Sequence, residues 1–106
     1  MYIFIFILAA NEYAKKSSKI YRTIGYNSLE EGAFDSAINY FEKAAENEKY
    51  LDVHYDYDMS KNLQGMALAY TEKGYYEKAK PLIEKAVENV ERYIVFWFRT
   101  RGIDSL

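Results

Sequence analysis

Residues 32–44, GAFDSAINYFEKA, return as residues 74–86, GYYEKAKPLIEKA, with glycine, aromatic, alanine and large apolar positions in register. Gly32, Phe34, Ala37, Phe41 and Ala44 of the first copy correspond to Gly74, Tyr76, Ala79, Ile83 and Ala86 of the second, an offset of 42 residues from Ala37 to Ala79. A unit written twice at a fixed period implies stacked supersecondary units that share one core, because each unit alone cannot bury its apolar face. A chain of 106 residues is one domain's worth, so both copies belong to a single core.

Within each copy the apolar residues recur at three and four, as in Ile20, Tyr21, Ile24 and in Ala37, Ile38, Phe41, Ala44, Ala45, which is the period of amphipathic helices. Gly32 and Gly74 fall between such segments, where a tight turn between antiparallel helices calls for positive φ. Each copy therefore reads as a helical hairpin. The first runs from about Ser18 to Glu31 and from Phe34 to Glu48, with Ser17 or Ser18 as N-cap. The second runs from about Asp58 to Lys73, capped by Asp58 or Ser60, and from about Tyr76 into the 90s, with Pro81 in the opening turns. The stretch EKYLDVHYDY between them extends the helices or forms a loop.

These residues resemble the tetratricopeptide repeat family. The first copy supplies Tyr21, Ile24, Gly25, Ser28, Gly32, Phe34, Ala37, Phe41 and Ala44; the second supplies Leu63, Met66, Ala67, Tyr70, Gly74, Tyr76, Ala79, Ile83 and Ala86. Ser28 departs from the aromatic of the signature, and the closing proline is missing from both copies. The 42-residue spacing is similar to the long repeats of kinesin light chains. The resemblance implies an all-α fold of antiparallel helical hairpins stacked as a short right-handed solenoid. Counting back from Ala37, Phe41 and Ala44 by the usual 34 residues reaches Ile3, Ile7 and Ala10, the residue types of a second helix from an earlier half-repeat. About five helices are expected in one domain over residues 1–106: an apolar helix or half-repeat over 1–16, repeats over 18–48 and 58–92 joined by a linker over 49–57, and an apolar extension over 93–106.

The two ends admit other readings. MYIFIFILAA lacks the basic n-region of a signal peptide, and its apolar run of about ten residues falls short of the roughly 20 needed to span a bilayer. YIFIFIL and YIVFWF are both rich in strand-favouring residues and could pair as a two-stranded clasp. A membrane-surface helix would need a basic polar face that neither end has.

Chemical motifs are sparse. The chain has no cysteine, which rules out disulfides and thiolate sites, and one histidine, His54, which rules out a two-histidine metal site within one chain. Asp52, His54, Asp56 and Asp58 alternate and would share one face of an extended segment, yet a solvated acidic loop with helix caps is the expected reading. The spacing of Asp56, Asp58, Ser60 and Asn62 suggests a calcium loop, but Lys61 and Ala67 stand where its glycine and glutamate belong. Gly25 and Gly65 form no phosphate loop, and the glutamates at 30, 31, 46 and 48 have the pattern of charged outer helix faces. No enzyme activity, cofactor or metal is expected. A net charge of −2 argues against nucleic acid as partner.

What remains is a surface. In this family the first helices of the hairpins line a concave groove that holds a peptide or helix. The resemblance places Lys19, Arg22, Tyr26 and Leu29 of the first repeat there, with Lys61, Gln64, Leu68 and Thr71 of the second. Arg22 fits the basic position of a carboxylate clamp, but Tyr26 and Gly65 replace its asparagines, which favours an apolar or acidic peptide. The leading expectation is a cytoplasmic, non-catalytic scaffold in which Tyr26, Leu29 and Leu68 contact the segment and Lys19, Arg22 and Lys61 orient its acidic groups, so that Arg22→Glu with Lys61→Glu weakens capture at little cost in stability. The rival is a self-assembling module, a fragment of a longer array or an engineered chain, that pairs through its apolar termini: Ile3, Phe4, Phe6 and Ile7 at one end, Phe96 and Trp97 at the other.

Overall fold

The computed structural model describes residues 2–49, 51 and 56–101. Four helices account for nearly all of them: α1 (Tyr2–Glu30), α2 (Phe34–Glu48), α3 (Asp56–Glu72) and α4 (Tyr76–Thr100). They form two antiparallel hairpins, α1 with α2 and α3 with α4, joined where α3 packs against both α2 and α1. The radius of gyration is 15.6 Å, above the ~13 Å of a compact domain this size, and the extents of 45 × 41 × 19 Å describe a slab two helices thick.

Both turns are built the same way. Leaving α1, the amide of Gly32 donates to the Leu29 carbonyl and that of Ala33 to the Ser28 carbonyl; leaving α3, Gly74 donates to Thr71 and Tyr75 to Tyr70. Gly32 and Gly74 hold φ of 77° and 81°, the left-handed conformation that ends a helix while satisfying its last carbonyls. Lys73 of the second turn is ion-paired with Asp35 beside the first, tying the turns together. A Cβ at either glycine would meet nothing within 4 Å, so only the backbone conformation resists a side chain. Gly74→Ala is therefore expected to cost about 1–2 kcal/mol, read as a lower urea midpoint with unchanged slope.

The core lies between the hairpins. Ala37, Ala44, Ala79 and Ala86, the paired alanines of the two copies, are all buried, because a small side chain lets two helices approach closely. Phe41 of α2 is the largest fully buried side chain; its ring sits against Gly25 of α1 and Gly65 of α3 and meets the Tyr26 ring edge-on at 4.8 Å. Ile38, Leu63, Met66 and Ala69 complete this cluster.

Several expectations are corrected. There are four helices among the described residues, not about five. The apolar N-terminal segment is no separate half-repeat, because Asn11 to Ser17 contain no glycine or proline to stop a helix and α1 runs unbroken from Tyr2. Both strand-favouring ends are helical, Tyr2–Leu8 in α1 and Tyr93–Phe98 in α4, so no clasp forms. Ser18 is no cap: fully buried in mid-helix, its hydroxyl donates to the Ala44 carbonyl at 3.1 Å. Asp58 and Ser60 lie inside α3, which starts at Asp56, and the Ser60 hydroxyl donates to the Tyr57 carbonyl. No described helix is long and apolar enough to cross a membrane.

Candidate partner-binding surface

Each hairpin's first helix, α1 and α3, carries the groove positions expected from the sequence. The two run side by side, and a hydrogen bond of 2.8 Å from the Tyr26 hydroxyl to the Lys61 carbonyl fixes their register. Burial raises the Tyr26 pKa, so that hydroxyl stays protonated and donating. Arg22 lies one turn earlier on α1. Its Nη1 donates to Glu48 Oε1 at 2.5 Å and approaches Asn62 Oδ1 at 3.4 Å, and its Nη2 lies 3.9 Å from Asp58. The Asn62 amide donates to the second Glu48 oxygen at 2.9 Å.

Arg22, Glu48 and Asn62 thus tie α1, α2 and α3 together, with Asn62 fully buried and Glu48 nearly so. Desolvation raises the Glu48 pKa, only partly opposed by the hydrogen bond and charge of Arg22. This is an internal tie, with the Arg22 side chain itself largely buried.

The other groove positions divide into two groups. Leu29 packs against the core, and the half-buried Thr71 donates its hydroxyl to the Ala67 carbonyl of its own helix. Lys19, Gln64 and Leu68 are exposed. Lys61 is half-exposed; its ammonium lies over the Tyr57 ring, 4.8 Å from its centroid. Gln64 also lines a trough of about 340 Å³ with Ile83, Val87 and Val90 of α4.

That trough was missed in the sequence, where Ile83 counts as a core position. Its counterpart Phe41 is buried because α3 follows α2 and offers Gly65 to the ring. No described helix follows α4, and Ile83 and Val87 remain about half exposed. A second cleft, about 580 Å³, opens between α2 and α4 over Met59, Leu63 and Met66 of α3. Its rim carries both signs of charge, including Arg92, whose Nε donates to Asp56 at 2.7 Å. Of the suggested alternate-residue metal face, Asp56 and Asp58 sit on a helix, facing Arg92 and Arg22, and Asp52 and His54 lie outside the described residues. No group of three potential metal ligands occurs among the described residues.

Fold and surface together define an all-helical protein of paired hairpins with apolar faces left open along one side. Residues 60–89, from Ser60 of α3 to Asn89 of α4, match the family model of the tetratricopeptide repeat, and the four-helix arrangement is consistent with such repeats. No curated protein and no solved structure matches the chain significantly. Tetratricopeptide repeats generally mediate protein–protein interaction and are typically non-catalytic.

Proposed function

We propose that this chain is a non-catalytic scaffold in which two successive hairpins of a short right-handed solenoid bind a peptide or protein segment along α1 and α3. The observation that carries this reading is the exposed pair Gln64 and Leu68 of α3, one helical turn apart, of which Gln64 lines the trough of Ile83 and Val87. A bound segment would set apolar side chains against Leu68 and the trough and direct acidic groups toward Lys19 and Lys61. Arg22 serves this surface indirectly, by holding α1 against α3. The 42-residue period supports a place in the long-repeat class that resembles kinesin light chains.

Panning a displayed library of acidic and apolar peptides against the full chain, followed by fluorescence polarisation, tests the surface. Lys19→Glu with Lys61→Glu is expected to weaken the selected peptides at least about tenfold, a loss of roughly 1.4 kcal/mol or more. Lys80→Glu, exposed on α4, should leave them unchanged. Peptides that bind all three proteins equally would place recognition elsewhere.

A further inference from the structure

Both hairpins are lopsided at the same end of the slab. Since α1 and α3 run parallel toward the turns at Gly32 and Gly74, the start of α1 and the end of α4 both lie at the opposite end. Helix α2 ends at Glu48, against Arg22, and its last buried contact with α1 is Ser18 on Ala44. The preceding residues of α1 run on as an arm. Helix α3 starts at Asp56, which holds Arg92, and Tyr57 meets the Tyr93 ring at 5.7 Å. The last two turns of α4 run past it as a second arm.

The outer two turns of the first arm are apolar on every face. Tyr2 to Leu8 are consecutive large apolar residues, each 53 to 80% exposed. At about 150–250 Å² for a buried aromatic and somewhat less for an aliphatic, they present on the order of 1,000 Å². A monomer's largest apolar patch is ordinarily about 300–600 Å², whereas a stable protein–protein interface takes about 800 Å² from each partner. Ile, Phe and Tyr are also mediocre helix formers, and a projecting segment this short is marginal as a helix unless its faces are packed. The α4 arm adds Ile94, Val95 and Trp97, each more than a third exposed.

A helix apolar all round must be surrounded, and a lipid surface would wet only one side of it. One molecule offers this arm and, at the same end, the apolar side of the α4 arm. A second copy, related by a two-fold axis across that end, offers two more, and four helices close a bundle core. We propose that the protein forms an end-to-end dimer in which the α1 and α4 arms of two copies interleave as a four-helix bundle, leaving both groove surfaces free.

Light scattering behind a sizing column reads this directly. At micromolar concentration the full chain is expected at twice the 12.5 kDa of one chain. Phe4→Glu with Ile7→Glu in one variant, and Trp97→Glu in another, are each expected to give monomers while far-UV circular dichroism retains the helices of the slab. A monomeric full chain overturns the proposal whatever the variants do, and binding of that monomer to phosphatidylcholine–phosphatidylserine vesicles would assign the arms to a lipid surface instead. A dimer that survives either substitution, with helices intact, equally overturns it, since the bundle needs both kinds of arm.

Discussion

Glu48→Ala is expected to destabilise the fold by about 3–5 kcal/mol, because it strands a largely buried guanidinium without its partner. Glu48 is almost completely buried and accepts from both Arg22 and Asn62, so its loss also leaves the Asn62 amide without that acceptor. Asp58, 3.9 Å from Arg22, is more exposed and replaces only part of the lost interaction. Removing both charges, by Arg22→Met with Glu48→Leu, is expected to recover much of the loss, since a buried ion pair is costly to break but not to replace by apolar groups of like size. Urea unfolding of wild type, both single variants and the pair gives the coupling directly. Equal and additive losses would show that the two side chains do not act as a pair.

The same carboxylate sets a pH dependence. Its folded-state pKa is raised, chiefly by desolvation, so the protonated form is favoured by folding. The corresponding stability is present below the unfolded pKa and is lost as pH rises through the folded value. Glu48→Gln keeps the shape and abolishes this titration. Relative to wild type, the glutamine variant is expected to gain stability as pH rises from about 4 toward neutrality, where the unperturbed glutamate would titrate. A difference between the two proteins that is flat in pH would contradict the burial-driven shift.

The paired hairpins were legible because the repeat is local. Gly32 and Gly74 mark the turns, the bounds of α2 follow from its period, and the alanines at 37, 44, 79 and 86 fall where helices approach most closely. The extent of α1 was not legible. Ile, Phe and Tyr favour strands, so Tyr2 to Leu8 read ambiguously, and a 34-residue count suggested a break that no glycine or proline supplies. Arg22 was misjudged for a different reason. An exposed-looking basic residue on an amphipathic helix pairs with Glu48 26 residues later and with Asn62 40 residues later, contacts that no local pattern encodes. Charge reversal at Arg22 would set a carboxylate against Glu48, so the expected mildness of Arg22→Glu does not hold, and the proposed binding surface is better probed at Lys19 and Lys61. Ile83 shows the converse: its repeat position predicts burial, and its exposure follows from the lack of a described helix beyond α4.

Gly65→Ala is expected to destabilise by about 1–3 kcal/mol, even though alanine is the better helix former by about 1 kcal/mol. A Cβ there falls deep inside van der Waals contact with the Phe41 ring, three ring atoms being too close for any real side chain. The ring has nowhere to go. Gly25 flanks it on α1, where an added Cβ would lie 2.9 Å away, and the edge-on Tyr26 is held by its bond to the Lys61 carbonyl. Overpacking would therefore push α3 away from α1 and α2 and loosen the one layer that joins the hairpins. Phe41→Leu removes the outer ring atoms that collide. Alone it costs about 1 kcal/mol or somewhat more, for lost contacts and a partial cavity. Combined with Gly65→Ala it should cost less than the two single losses added, by about 1 kcal/mol, because the new methyl occupies the space that the ring gave up. Gly25→Ala, whose Cβ would also crowd the ring but less closely, should destabilise by less than Gly65→Ala. Strict additivity of the first pair, or equal costs at the two glycines, would show that close approach to Phe41 is not what requires glycine at 65.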